Sequence, residues 1–381
     1  MKDARVWAEI DAAAFAGNLR AIRSHLAANV RSLLVLKADA YGHGARELAP
    51  LALREGVDGF GVATVAEALE LRAYGIEGRI LVLGTTFSGE LEAALAADLE
   101  LVVATSAQLL ELVALGKRAR IHLHLDTGMH RLGLDPNNAS ALLRVLAQAP
   151  QLAVVGLMTH VASTKGALAP EAREQATRFH AAVRRLAPGL APGAWLHVAN
   201  SAGALTGMAS GTNAVRIGVA AYGLAPHVDL EAECVGFQPV LTLRARVAQL
   251  HRLAAGERVG YDGTWQAQRP SWIATVAAGY ADGLPFRLSD RGWALVRGRR
   301  APYVGRVSMD YAALDVTDVG GLSLAEGTPV TLLGRDGDAA IDAWELAHWA
   351  GTSPYEIVTS IGRRVPRVLV QHPAPLHEAS A

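Results

Sequence analysis

A repeated alternation of short apolar runs with helix-length amphipathic stretches is what most narrows the folds open to this chain. The runs are RSLLVL (31–36), DGFGVA (58–63), RILVLG (79–84), LVVAT (101–105), RIHLHLD (120–126), AVVGLMTH (153–160), WLHVAN (195–200) and AVRIG (214–218). Between most of them lie helical patterns such as ARELAPLALREG, TVAEALELRAYG and PNNASALLRVLAQA. Strands separated by helices are joined by crossovers, which makes them parallel. Eight such strands point to an α/β fold closed as a (β/α)8 barrel, and an open doubly wound sheet is compatible with the same pattern. RVWAEID (5–11) reads as a further strand with no place in an eight-stranded barrel, which leaves pairing with a second domain.

After about residue 236 the rhythm changes. VLTLRARVAQLHRL (240–253), WIATVAAG (272–279), WALVRG (293–298), YVGRVSMD (303–310), YAALDVT (311–317) and PVTLLG (329–334) follow one another without intervening helices. That is the pattern of a mainly antiparallel β domain, with one helix expected at DAWELAHWAG and a loose tail over the last ten or so residues. The expected division is a barrel over 1–236 and a β domain over 237–381, and 381 residues suit two such cores. Charge adds an exclusion: Lys plus Arg and Asp plus Glu number 36 each, which gives no electrostatic reason for a nucleic-acid or acidic-membrane partner. No apolar run approaches a membrane span, and MKDARVWAEID has no signal-like apolar region. Cys234 is the single cysteine, so neither an internal disulfide nor a multi-cysteine metal site is available. A soluble, cytoplasmic protein is the expectation.

In a barrel of this kind functional groups gather at the C-terminal ends of the strands, which here gives Lys37, Thr105, Asp126, His160, Ser201 and Arg216. The segments after the last two strands, ANSAGAL and VRIGVAAYG, are small and glycine-rich. Phosphate is commonly held at that position, so Ser201, Gly218 and Val219 are expected phosphate ligands. Lys37 closes the run LLVL, where burial depresses an amine's pKa and makes it a nucleophile able to form a Schiff base with a carbonyl or with pyridoxal phosphate. The plainer alternative is a strand-end lysine that reaches out to solvent. A phosphate site on the same rim, and Tyr41 four residues on, favour the Schiff base.

KADAYGHG (37–44) resembles the cofactor-lysine motif of the alanine racemases. In order along the chain, DTGMHRLG (126–133), HVANSAG (197–203), RIGVAAYG (216–223), GYADG (279–283) and GRVSMD (305–310) are similar to that family's other signatures, as is SPYEIVTSIGRRVPR (353–367). Six motifs in one order are far more specific than any one of them. The resemblance implies a pyridoxal-phosphate (PLP) isomerase supplying D-alanine for peptidoglycan, active as a homodimer with shared sites. It implies that Lys37 holds PLP and is the base for the D-enantiomer, and that Tyr261 of the other subunit is the base for the L-enantiomer. Arg216 corresponds to the arginine on the pyridine nitrogen. Arg131 corresponds to the contact with the phenolic oxygen and the substrate carboxylate. Met309 corresponds to a substrate-binding backbone N–H from the partner. Tyr41, Ser201, Gly218, Val219 and Tyr355 match the phosphate set, and His160 the surrounding support. Racemisation removes a proton from one face of Cα and delivers one to the other, so two opposed bases suit it. An arginine disfavours protonation of the pyridine nitrogen, which leaves a weaker electron sink.

Three positions depart from the family pattern. His124 stands where many members carry a carbamylated lysine, Ile217 where proline is usual, and Phe286 where an entrance arginine often follows, with Arg287 next. His122, His124 and Asp126 share one strand face, but without a further ligand cluster they read as packed polar barrel positions, and no metal is expected. Tyr280 and Asp282 either line the substrate entrance or form a turn before Pro285. The rival readings are a broad-specificity or serine racemase, a decarboxylase of a basic amino acid, and a non-catalytic PLP-binding barrel. Arg216 argues against the decarboxylase, which needs an acid at the pyridine nitrogen, and the second domain argues against the lone barrel.

Overall fold

The structure, a computed structural model, describes residues 4–320 and 323–371. The expected C-terminal tail lies outside the described residues. The chain forms two compact units, one from Ala16–Ala40 and Ala45–Gln238, the other from residues 4–15, Tyr41–Gly44 and the described residues from Pro239 onward.

The first unit contains eight parallel strands: β2 (Arg31–Val35), β3 (Gly59–Val62), β4 (Ile80–Val82), β5 (Glu100–Val103), β6 (Ala119–His124), β7 (Leu152–Met158), β8 (Trp195–His197) and β9 (Ala214–Ile217). Their spatial order is β8-β7-β6-β5-β4-β3-β2-β9, each laddered to its neighbour in parallel. Near-continuous apolar sequence is what such strands need, because helices cover one face and the barrel interior the other, and β3, β4 and β5 are buried at every residue. Leu33, Leu81, Val102, Met158, Trp195 and Ala214 fill one interior cluster. The crossover helices include Val65–Ala73 and Ser106–Leu115, each started by a reciprocal cap, Thr64 with Glu67 and Thr105 with Gln108. Thr105 is therefore committed to starting a helix.

The seam between β8 and β9 is closed by individual bonds. Arg216 N donates to Ala199 O at 2.9 Å and Asn213 N to Leu196 O at 3.2 Å. The Asn213 side chain bridges the same gap, accepting from Leu196 N at 2.7 Å and donating to Ala194 O at 2.9 Å.

In the second unit β1 (Val6–Asp11) lies between β10 (Leu241–Leu253), antiparallel, and β19 (Arg367–Val370), parallel. Period-two alternation makes this sheet: Val6, Ala8 and Ile10, and then Leu241, Leu243, Ala245 and Val247, are buried while the residues between them are not. β10 also pairs with β13 (Ser271–Val276) and β17 (Pro329–Asp336), and β13 with β16 (Ala312–Asp315). The expected strand YVGRVSMD is mostly loop, with only Tyr303 bridged to Leu314. Gly305, at φ +72°, turns the backbone left-handed inside that run, against Val259. Hairpin β14 (Trp293–Val296) with β15 (Arg299–Pro302) turns on Arg297-Gly298, both at positive φ, and the polar return strand carries no apolar signal in sequence. The helix at 343–350 forms, and a second, Pro354–Thr359, follows it.

Asn213 holds the barrel seam through one side chain, so Asn213→Ala leaves Leu196 N and Ala194 O short of partners. The expected cost is about 2 kcal/mol, read by denaturant unfolding, with faster amide exchange at Leu196.

Candidate active site

Lys37 follows β2, and the four residues after it form a left-handed turn. Ala38, Asp39 and Ala40 sit at φ 53 to 55° with ψ near 50°, and Tyr41 is at φ 53°. Left-handed backbone costs an ordinary residue about 1–2 kcal/mol, so the turn has to be held in place. Glu67 accepts from Ala38 N at 2.7 Å while also capping its own helix through Ala63 N and Thr64 N. Asp39 accepts from Ala45 N at 2.7 Å, and Ala40 N donates to Leu36 O at 2.8 Å. The Lys37 side chain reaches solvent at the rim, yet crowding dehydrates its amine enough to lower its pKa. The Arg131 cation lowers it further against a smaller pull from Glu67.

Arg216, 3% exposed, is fixed from several directions. Its Nη1 donates to His197 O at 2.8 Å and to His197 Nδ1 at 3.0 Å. Its Nη2 donates to Thr159 O at 2.7 Å and to His160 Nδ1 at 3.1 Å. Among the described residues its Nε has no hydrogen-bond partner, and no carboxylate forms an ion pair with the group. Burial brings its pKa down to about 10, so it stays a cation at neutral pH. His160 and His124 lie in the field of the same cations. Burial first, then Arg216 and Arg131, push them down to about 3 and about 4, so both are neutral. His124 is buried, and among the described residues its Nδ1 has no hydrogen-bond partner. Ser201 Oγ accepts from Gly218 N at 2.8 Å, and Val219 opens the short turn that follows. Tyr222 anchors that turn by donating to Val35 O at 2.8 Å.

This rim therefore combines an amine of lowered pKa, a buried guanidinium with one N–H to spare, and hydroxyl and backbone groups at the ends of β8 and β9. Those residues fit PLP, which needs an amine for its aldehyde, a donor for its pyridine nitrogen and a polar cradle for its phosphate. Asp126 belongs elsewhere, since Oδ1 accepts from Gly128, Met129 and His130 N and closes a turn. Among the described residues no cluster of three or more His, Cys, Asp or Glu is arranged to hold a metal ion.

The second unit carries Tyr41, Tyr355, Tyr261 and Met309. Tyr41 and Tyr355 are mutually close and partly buried. Burial raises both phenols, Tyr355 to about 12, so neither ionises near neutrality. Tyr261 stands at the tip of the hairpin Arg258–Val259 with Trp265–Gln266, 71% exposed, beside Asp262, which pairs with Arg306 at 3.0 Å. Met309 is also exposed. Of the two GYADG residues, Asp282 is buried and binds Arg5, Arg364 and Gly279 N, while Tyr280 is exposed and packs edge-on to Phe286.

Residues 10–226 match the family model described as alanine racemase, N-terminal domain, and residues 240–369 match the C-terminal domain. The chain belongs to the alanine racemase family. It is 41% identical to the alanine racemase of Symbiobacterium thermophilum, covering 95% of this chain and 96% of the relative. The crystal structure of the Bacillus anthracis alanine racemase with bound L-Ala-P superposes with a TM-score of 0.90 at 35% identity, over 97% of this chain and 95% of that one. The alanine racemase of Bartonella henselae with covalently bound pyridoxal phosphate gives 0.84 at 30% identity, over 96% of this chain and the whole of that one. Against the family pattern, His124 is a neutral imidazole, Ile217 is buried at the end of β9, and Phe286 with Arg287 lines a pocket of about 390 Å³ within the second unit.

Sequence reasoning missed Glu67, Glu100 and His197. Glu100 had a signal, a lone carboxylate opening an apolar strand, whereas the role of Glu67 depends on a turn that no local pattern reveals.

The buried histidines set a pH dependence. Their folded pKa values lie below the ordinary value of about 6.5, so below that pH the unfolded chain binds more protons and stability falls. The melting temperature should drop between about pH 6.5 and pH 5, above the range where carboxylates titrate. His124→Asn should flatten that slope, and an unchanged slope would contradict the neutral, buried assignment.

Proposed function

We propose that Lys37 and Tyr261 are the two proton-transfer groups of this chain, an isomerase that interconverts L- and D-alanine with pyridoxal phosphate as its cofactor. The observation that carries this is the placement of Lys37 at the end of β2, on the rim that also holds the buried Arg216 guanidinium, with the amine's pKa lowered by its crowded surroundings and by Arg131. Lys37 binds the cofactor aldehyde and handles the proton on the D face of the substrate's Cα. Tyr261 of the partner subunit handles the opposite face. When bound, the cofactor withdraws electron density from Cα. Arg216 stays cationic and offers its Nε to the pyridine nitrogen, which opposes protonation there. Arg131 contacts the phenolic oxygen and, with the backbone N–H of Met309 of the partner subunit, the substrate carboxylate. Ser201, Gly218, Val219, Tyr41 and Tyr355 hold the phosphate, the two tyrosines as neutral donors. His160 supports Arg216.

The homodimer is supported by what the second unit exposes. Tyr261 and Met309, the two residues that this reading assigns to the partner's site, are 71 and 53% exposed, as groups that reach into another subunit must be. Among the described residues no helix is long and apolar enough to cross a membrane. We place the enzyme in the cytoplasm, where it supplies D-alanine for cell-wall peptidoglycan, and a chain with one cysteine needs no oxidising compartment. Alanine rather than a broader or serine-directed specificity is the reading favoured by the relatives.

Borohydride reduction of the PLP-loaded protein followed by peptide mapping should place the pyridoxyl group on Lys37. A label on Lys117 or Lys165 would exclude this assignment. Mixing inactive Lys37→Ala with inactive Tyr261→Phe subunits should restore up to about a quarter of wild-type activity, because half the subunits pair as heterodimers with one intact site each. No recovery, with subunit exchange verified by mass, would count against shared sites.

A further inference from the structure

Four side chains inside the barrel form a continuous hydrogen-bonded chain, and of these the chemistry above uses only Arg216. Glu100 opens β5, His122 lies within β6, His197 ends β8, and Arg216 is in β9. The first three are at most 1% exposed. Arg216 Nη1 is 3.0 Å from His197 Nδ1, His197 Nε2 is 2.8 Å from His122 Nδ1, and His122 Nε2 is 2.8 Å from Glu100 Oε2. Beyond Glu100, Arg79 Nη1 reaches the same oxygen at 2.8 Å and Arg120 Nε the other at 3.3 Å. Arg79 is held by stacking on Trp195, 4.4 Å from the ring centroid.

The two ends fix every proton between them. A guanidinium only donates, and an ion-paired carboxylate only accepts. Arg216 therefore donates to His197 Nδ1, so a neutral His197 carries its proton on Nε2 and gives it to His122 Nδ1. His122 in turn carries its proton on Nε2 and gives it to Glu100. Both rings are neutral: burial is the largest effect on each, it outweighs the pull of Glu100 on His122, and Arg216 adds to it at His197. His124 and Arg79, the other groups acting on His197, also disfavour a charged ring. No other arrangement of neutral rings satisfies both ends.

The backbone makes room for this chain. A Cβ on Gly156 would lie 2.1 Å from His122 Nδ1, and the β6–β7 ladder shifts register between Ile121 and His122. Glycine inside a buried strand weakens the strand, and here it admits the imidazole. Glu100 is thus the carboxylate connected to the buried Arg216 cation, across two imidazoles.

We propose that Glu100 is a positioning residue: through His122 and His197 it sets the direction of the hydrogen bonds on Arg216, committing both Nη groups inward and keeping Nε for the cofactor's pyridine nitrogen. This rests on the placement of Arg216 at that nitrogen in the reading above. Without the carboxylate charge the two rings can exchange tautomers. A proton on His197 Nδ1 would then face the Nη1 hydrogens, and the guanidinium would turn.

Long-range 1H–15N NMR of the imidazoles in the cofactor-free full chain tests this directly. His122 and His197 should both appear as neutral Nε2–H tautomers at about pH 7 to 8. Glu100→Gln, whose amide can donate as well as accept, should give mixed tautomers at His197, two links away, and weaken PLP binding by about tenfold. Glu100→Asp, which keeps the charge, should restore the single tautomer. A proton on His197 Nδ1 in the unmodified chain would overturn the proposal even if Glu100→Gln failed to fold. So would an unchanged Nε2–H signal for His197 in a folded Glu100→Gln variant. With 15N-labelled PLP bound, a pyridine signal indifferent to Arg216→Lys would overturn instead the placement of Arg216 at the cofactor, with the tautomer result unaffected.

Discussion

The buried guanidinium of Arg216 is the constraint around which the barrel rim is organised. A cation removed from water is costly unless its hydrogen-bonding capacity is met. Here five acceptors, the carbonyls of Thr159, His197 and Val198 and two imidazole nitrogens, take up both Nη groups. Meeting that demand requires His160 and His197 to be neutral with Nδ1 free to accept. It also requires β7 and β8 to end where their carbonyls converge on β9, and the β8–β9 seam, spliced by Asn213, keeps them there.

The positive field that results reaches beyond Arg216. With Arg131 nearby, it helps hold His124 neutral, and Arg131 assists dehydration in lowering the Lys37 amine. The lysine is held by a different device, a left-handed turn of non-glycine residues fastened by Glu67 and Asp39. Strain of this kind persists only where the surroundings over-determine it. Glu67 shows how, since one carboxylate both starts a helix and pins the turn.

Much of the fold was legible because apolar periodicity reports burial directly. The eight strands of the barrel needed apolar residues on both faces, and β10 needed alternation on one, so each left a pattern. What escaped were elements held by backbone geometry. The hairpin return over Arg299–Pro302 is polar and depends on the Arg297-Gly298 turn. The expected strand at 303–310 fails because Gly305 takes a left-handed conformation within an otherwise strand-like run.

The sequence by itself determined the fold class and the family, because strand periodicity and ordered motifs are local properties of a chain. Tertiary structure alone decided which polar side chains meet. Glu100, His122, His197 and Arg216 are spread over more than a hundred positions, and nothing in their spacing links them. They form one chain because parallel strands in fixed register bring them together in the barrel interior, where burial makes each hydrogen bond obligatory. Thr105 and Asp126, equally well placed at strand ends, were drawn into helix capping and turn closure by the backbone N–H groups beside them.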